Sequence, residues 1–328
     1  NNKFGVPLSL FNLKKDDDFG IFEIGMDKKG EIDYLSKIIK PDIGVITNIS
    51  YAHIKNFKSI NQIALAKAEI IKNIKEGGYL VLNKDDEFYN LHKKIGQKRN
   101  LKILTFSLLS KNATVNLDSI SKEKSKYKIS INIDKIKKYF YFNSFFENDL
   151  KNLLATITII SIYKNIYKLN KNIFYDHKTT NGRGDIVKIK LFENFFYLVD
   201  ESYNSNPLSL NSALKNFDMI PIDSSKKHLI LGDMLELGRY SKKLHTEIGK
   251  SINKTSLKNV NVIGKNIKWA FNSLNKSKKG IILKKKSHII DLIKNNLNNN
   301  DYLMIKGSNS TGLNSLTNQI KTGKVNAL

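Results

Sequence analysis

The chain has 328 residues, 41% hydrophobic and 26% charged, a globular composition with length for two separate cores. It contains no cysteine, which excludes disulfides, thiolate zinc sites and cysteine nucleophiles, and no apolar run of about 18 residues that would give a membrane-spanning helix. Lysine and arginine number 55 against 30 acids, a net charge of +25 that raises the question of nucleic acid.

Taken in chain order, the first half alternates strand-like and helix-like segments. Residues 19–25, 43–49, 79–83 and 101–106 are short runs of branched and aromatic residues, bounded by Gly, Pro, Asn or Asp. Residues 59–74 and 86–95 carry helical periodicity, with Ile60, Ile63, Ala64, Ala68 and Ile71 at three- and four-residue spacings. This alternation predicts a parallel sheet with helices on its faces. Residues 113–142 read as short strands without a helix, an antiparallel edge, and 148–167 as an apolar helix. The charged, glycine-containing stretch 176–185 is the expected domain boundary, giving domains 1–178 and 179–328.

Beyond it, 186–191 and 195–200 read as a hairpin around Glu193-Asn194. Helices are then expected at 207–217, 241–252, 266–274, 288–297 and 311–320. Strands are expected between them at 228–231, 260–263, 280–283 and 302–305. The second half is thus a doubly wound α/β unit, and the fold class of the whole is α/β.

The charge is almost all lysine. Only Arg99, Arg183 and Arg239 are arginines, and the other 52 basic residues are spread along the chain. Base reading favours the planar fork of arginine, so nucleic acid is not expected as a partner. The runs 122–128 and 276–286 read as solvated faces or turns.

Strand C-terminal ends are where α/β domains hold ligands, and polar residues gather there. Glu23 closes the first run, Asn48 and His53 follow the second, and Lys67 lies among Ala64, Ala66 and Ala68 in a chain with nine alanines. A strand-end carboxylate suits Mg²⁺. Asp200 is followed by Glu201-Ser202-Tyr203-Asn204-Ser205-Asn206-Pro207: an acid suited to ribose hydroxyls, an aromatic suited to stacking on a base, and an N-cap at Asn206 before Pro207. Arg183, between Gly182 and Gly184, suits bidentate phosphate contact. No G-x-x-x-x-G-K-[ST] phosphate loop occurs.

In this order the motifs resemble those of the Mur ligase family. The carrying blocks are NNKFGVPL at the start, Glu23-Ile24-Gly25-Met26, Thr47-Asn48-Ile49 with Ala52-His53, Ala66-Lys67-Ala68-Glu69-Ile70 and Asn83-Lys84-Asp85-Asp86. Gly182-Arg183, the Asp200–Pro207 run, LGDMLELG at 231–238 and Lys306-Gly307-Ser308 complete them. Asn148, Asp27-Lys28 and Asn309 depart from the residues usual in the family.

The resemblance implies a central ATPase domain and a C-terminal Rossmann-like domain, and is closest to the branch that adds D-alanyl-D-alanine to UDP-N-acetylmuramoyl-tripeptide. It implies a cytoplasmic, monomeric ATP-dependent ligase of cell-wall precursor synthesis. It also implies a chain entering after the phosphate loop, so residues 1–328 alone are not expected to turn over ATP. By matching position, Glu23, His53 and Lys67 are the implied catalytic and Mg²⁺-binding residues, Lys67 as a carbamate. Asn152, Arg183, Asp200, Tyr203 and Asn206 are implied at ATP, and Asn1, Asn2, Asp233, Glu236, Lys306 and Ser308 at the other substrates.

Overall fold

The computed structural model describes residues 1–124, 126–177 and 179–324. The chain divides into two compact units, Asn1–His177 and Lys178–Leu328, each built on its own six-stranded sheet.

In the first unit the strands lie in chain order: β1 (Ile43–Ile46), β2 (Tyr79–Asn83), β3 (Lys102–Ser107), β4 (Val115–Glu123), β5 (Lys126–Ile133) and β6 (Ile136–Phe142). β1 to β4 pair parallel, and β4 to β6 form an antiparallel meander, as the lack of a helix in 113–142 predicts. Two short helices, α1 (Gly5–Phe11) and α2 (Glu31–Ile39), precede the sheet, and α3 (Ile60–Lys67) and α4 (Tyr89–Lys98) serve the β1–β2 and β2–β3 crossovers. α5 (Glu147–Tyr163) follows the meander. Alternation in β5 sends Ile129, Ile131 and Ile133 into a core with Phe140, Phe142 and the α5 residues Leu150, Leu153, Leu154 and Ile157.

Two expectations change. Residues 19–25 form no strand: β1 is the end strand of the sheet, and Gly25 N–H donates to Asn1 O (2.6 Å) instead of to a ladder. An apolar run becomes a strand only where a partner takes its backbone groups. The helix expected over 59–74 ends its α-helical part at Lys67 and continues as a tighter 3₁₀ stretch, Ala68–Asn73. The buried alanines Ala64, Ala66 and Ala68 let this element lie close to its neighbours.

The second unit begins with the predicted hairpin, β7 (Asp185–Leu191) and β8 (Asn194–Glu201), turning at Phe192 with φ 56°. It continues with α6 (Pro207–Asp218), β9 (Lys227–Gly232), α7 (Ser241–Asn253), β10 (Val260–Ile263), the short α8 (Lys268–Asn272) and β11 (Lys279–Leu283). α9 (Ser287–Asn296), β12 (Tyr302–Lys306) and α10 (Leu313–Thr322) complete it.

The strand order β11-β10-β9-β12-β8-β7 is that of a doubly wound sheet, parallel throughout except at β7. Every residue of β9 is buried, as a central strand covered on both faces requires. The chain winds outward from β9 to β11 and returns to place β12 on the other side of β9. The loops after β9 and β12 meet at the C-terminal edge, where Ser308 N–H donates to Asp233 O (3.0 Å), and form part of the crevice wall there. Among the described residues no helix is long and apolar enough to cross a membrane.

Candidate active site

In the first unit the polar residues gather on loops beyond β1 and β2. Asp86, in the turn after β2, accepts from Ile49 N–H (2.8 Å) through one carboxylate oxygen and from Phe88 N–H (2.9 Å) through the other. That fixes the 47–53 loop from below. From the other side Lys67, at the end of α3, donates to Asn48 O (3.1 Å). Burial pushes the Lys67 amine below the ordinary lysine range, with the Asp86 charge pulling it back. The buried His92 ring lies 3.0 Å from Ala64 O one turn before Lys67, and burial pushes its pKa below the ordinary histidine range.

His53 ends this loop in the left-handed region (φ 59°), and its Nδ1 lies 2.8 Å from Asp27 Oδ1. The Asp27 turn is held in turn by its neighbours. Glu31 accepts from Asp27 N–H (2.6 Å) and Lys28 N–H (3.0 Å), and Asn56 donates to Asp27 O (3.0 Å). The buried Glu69 carboxylate accepts from Gly30 N–H (2.9 Å), at the start of α2. The loop geometry around His53 is thus fixed before any ligand arrives.

Glu23 is solvent-exposed and, among the described residues, hydrogen-bonds to none of this group. The structure joins His53 with Asp27 and Lys67 with Asn48. Sequence reading gave Asp27, Glu69 and Asp86 no role, although Glu69 and Asp86 sit inside the quoted blocks and Asp27 is one of the departures from the family pattern. Their signal was acids clustered around the ends of β1 and β2, and their backbone partners became visible only in the fold. Asn152 lies exposed on α5. Asn2 Oδ1 accepts from Phe4 N–H (3.0 Å) and Gly5 N–H (3.1 Å), turning the chain into α1, and Asn1 is exposed.

In the second unit Gly182 and Gly184, both at positive φ (78° and 97°), flank Arg183. A Cβ at Gly182 would crowd Tyr203 N, so only glycine permits this approach. The Arg183 guanidinium consequently stacks over the Tyr203 ring, 4.6 Å from its centroid, with both side chains exposed. Asp200, one strand-end away, is fully buried. Its Oδ1 accepts from Ser202 N–H (3.0 Å) and its Oδ2 lies 2.6 Å from Lys321 Nζ, which also bridges to Asp185 (2.6 Å). Asp200 shapes the loop that presents Tyr203, and Arg183 with Tyr203 forms the accessible surface. Asn206 caps α6 in a capping box with Ser209, as the Asn-Pro pair predicts.

The remaining residues are held within the crevice wall. Asp233 accepts from Lys265, Asn266 and Ile267 N–H (3.1, 2.9 and 2.7 Å). Ser308 accepts from Leu235 N–H (2.8 Å), and the buried Lys306 bonds Glu201 Oε2 (3.0 Å) and Asn204 O (2.9 Å). Glu236 occupies the left-handed region (φ 62°) in the same loop. His245 accepts from Met234 N–H (3.1 Å) and its other ring nitrogen lies 2.8 Å from Ser241 O, clamping the 233–238 loop to α7.

Comparison with known proteins bears on this arrangement. The pattern of the Mur ligase middle domain matches residues 1–160, and that of the Mur ligase glutamate ligase domain matches residues 182–309. The UDP-N-acetylmuramoyl-tripeptide–D-alanyl-D-alanine ligase of Buchnera aphidicola subsp. Baizongia pistaciae is 31% identical over 98% of this chain and 67% of its own length. The chain belongs to the Mur ligase family. This Mur ligase also shares its fold with MurF from Acinetobacter baumannii (TM-score 0.83, 22% identity, 98% of this chain and 69% of that one). The MurF ligase of Thermotoga maritima in complex with ADP is similar (TM-score 0.82, 23% identity, 98% and 71%).

Proposed function

We propose that this Mur ligase joins D-alanyl-D-alanine to UDP-N-acetylmuramoyl-tripeptide at the expense of ATP, in peptidoglycan precursor synthesis. The observation that carries the reading is 31% identity, along 98% of the chain, to a relative named for that reaction. On this reading residues 1–178 are part of the central ATPase domain and 179–328 the C-terminal domain. The tripeptide carboxylate takes the γ-phosphoryl group of ATP and ADP leaves. The dipeptide amine then attacks the acyl phosphate, loses a proton, and orthophosphate departs as the amide forms. Little covalent chemistry falls to the protein, so its contribution is positioning and electrostatics.

Arg183 and Tyr203 are assigned to ATP, the ring to the base and the guanidinium to phosphate, with Asp200 and Asn206 shaping their loop and Asn152 near the adenine. Asp233, Glu236, Lys306 and Ser308 shape the wall for the dipeptide, and Asn1 and Asn2 face the other substrate. Mg²⁺ suits the donors of the first unit. Glu23 is an exposed carboxylate, and His53, with Nδ1 2.8 Å from Asp27 Oδ1, offers a ring nitrogen. Lys67 fits as a carbamate, because an amine lowered by burial adds carbon dioxide in its neutral form and releases a proton. When bound, the cation neutralises charge on the transferring phosphoryl group.

The test is phosphate release with ATP, UDP-N-acetylmuramoyl-tripeptide and D-alanyl-D-alanine. It is run on residues 1–328 and on the same chain preceded by whatever the reading frame encodes upstream. Release that requires both peptide substrates, in either protein, supports the reading. No release in either, or release with a free amino acid in place of the dipeptide, overturns it.

A further inference from the structure

His53 and Lys67, both assigned to Mg²⁺, stand on different segments of the first unit: His53 ends the loop after β1 and Lys67 ends α3. A chain of hydrogen bonds runs from one segment to the other, and it starts at Glu69, two residues after Lys67. Glu69 is only 5% exposed, in the 3₁₀ stretch Ala68–Asn73 that lies against α2. Its Oε1 accepts from Gly30 N–H (2.9 Å), and its Oε2 from Gly30 N–H (3.0 Å) and Asp33 N–H (3.2 Å). Asn73 ties the same two elements, donating to Asp33 O (3.1 Å) and Ser36 Oγ (2.8 Å). From the first turn of α2 Glu31 reaches back to Asp27 N–H, and Asp27 Oδ1 lies beside His53 Nδ1.

A helix cap by itself would account for a carboxylate at the start of α2, but not for its origin. Caps are ordinarily local, supplied by the residue that opens the helix. Here that residue is Gly30 at φ 92°, and a Cβ on it would meet no atom within 4 Å. A local asparagine, which tolerates positive φ, would therefore fit and would cap the helix in contact with water. The carboxylate comes instead from 39 residues further along the chain, and its burial carries a desolvation cost that an exposed cap avoids. What the remote cap adds is a fixed relation between the segment of Lys67 and the turn that holds His53.

We propose that Glu69 is a positioning residue of the divalent-cation site: through α2 and Asp27 it sets where His53 stands relative to Lys67. The proposal rests on the cation reading of those two residues given above. Groups that orient metal ligands without touching the metal ordinarily change affinity by about 10- to 100-fold when replaced.

Mn²⁺, a paramagnetic substitute for Mg²⁺, is titrated into residues 1–328 and followed by water proton relaxation, beside urea melts of each variant. Saturable binding that His53→Ala weakens is expected. Glu69→Gln keeps the size of the side chain, removes one acceptor, and should weaken Mn²⁺ by about tenfold. Asn73→Ser removes the second tie between the same elements and should weaken it in the same direction. Phe140→Leu, in the core behind the meander, should lower the urea midpoint and leave Mn²⁺ affinity within about twofold. Parent-like affinity in both Glu69→Gln and Asn73→Ser, with His53→Ala weakened, overturns the role of Glu69 alone. An equal loss in Phe140→Leu assigns the effect to general loss of structure and also overturns it. Mn²⁺ binding indifferent to His53→Ala overturns the cation reading itself, and the proposal with it.

Discussion

Lys67 shows how an abundant residue acquires a distinct chemistry from its surroundings. It is one of 52 lysines, yet it ends a helix of buried alanines, reaches Asn48 O, and has its amine lowered by desolvation. Lys67→Ala is expected to cut ligation about a thousandfold while moving the melting temperature by only a few degrees. Acetate should restore part of the turnover by supplying an anion. Near-normal turnover without acetate would make Lys67 an ordinary lysine. Tyr203 and Asp200 divide differently, because one is exposed and the other sealed. Tyr203→Ala should raise the KM for ATP with the fold intact. Asp200→Asn should cost about 2 kcal/mol of stability, through the weakened Lys321 and Ser202 bonds. Urea melts alongside ATP titrations separate the two effects.

At the scale of elements, a buried or half-buried side chain from one segment repeatedly fixes the backbone of another. Glu69 holds the start of α2, Asp86 the loop after β1, Asp233 the approach to α8, and His245 the loop after β9. His245 makes a pH dependence follow. Burial lowers its pKa, and its ring accepts from Met234 N–H, a role only the neutral form can fill. The unfolded imidazole binds its proton near pH 6.5 and the native one only at lower pH. Stability is therefore fully present above about pH 6.5 and is lost as pH falls, by up to about 1.4 kcal/mol per pH unit. His92 is lowered in the same way and adds to the slope. Urea midpoints at pH 7.5, 6.5 and 5.5 should fall in that order, and His245→Gln should flatten the slope. An unchanged slope in that variant would assign the dependence elsewhere.

For the whole molecule, the net charge of +25 is a diffuse field more than a binding face. Lysines spread along the chain, with three arginines, favour attraction to any polyanion over base reading. Random duplex DNA should be retarded at low salt and released by about 200 mM, without sequence preference. Retention at that salt, or preference for one sequence in a gel shift, would contradict this.

The sequence by itself determined most of the strands and the α/β character of both halves. Buried strands such as β9 read as unbroken apolar runs, and the meander β4–β6 is marked by the absence of any helical period, because these patterns depend on neighbours along the chain. It also carried the family and the blocks from which the site is built. Tertiary structure alone decided three things. Residues 19–25 have strand composition and no strand, since a ladder needs a second chain segment. Asp200 looks like a strand-end acid and is sealed by Lys321, a residue 121 positions away. Lys284, Lys285 and Lys286 look like a solvated turn and line a cavity, since which strand ends meet at a crevice follows from the order β11-β10-β9-β12. Periodicity is a local property of the chain, whereas the partner of a buried charge and the occupant of a strand edge are set by segments distant in sequence.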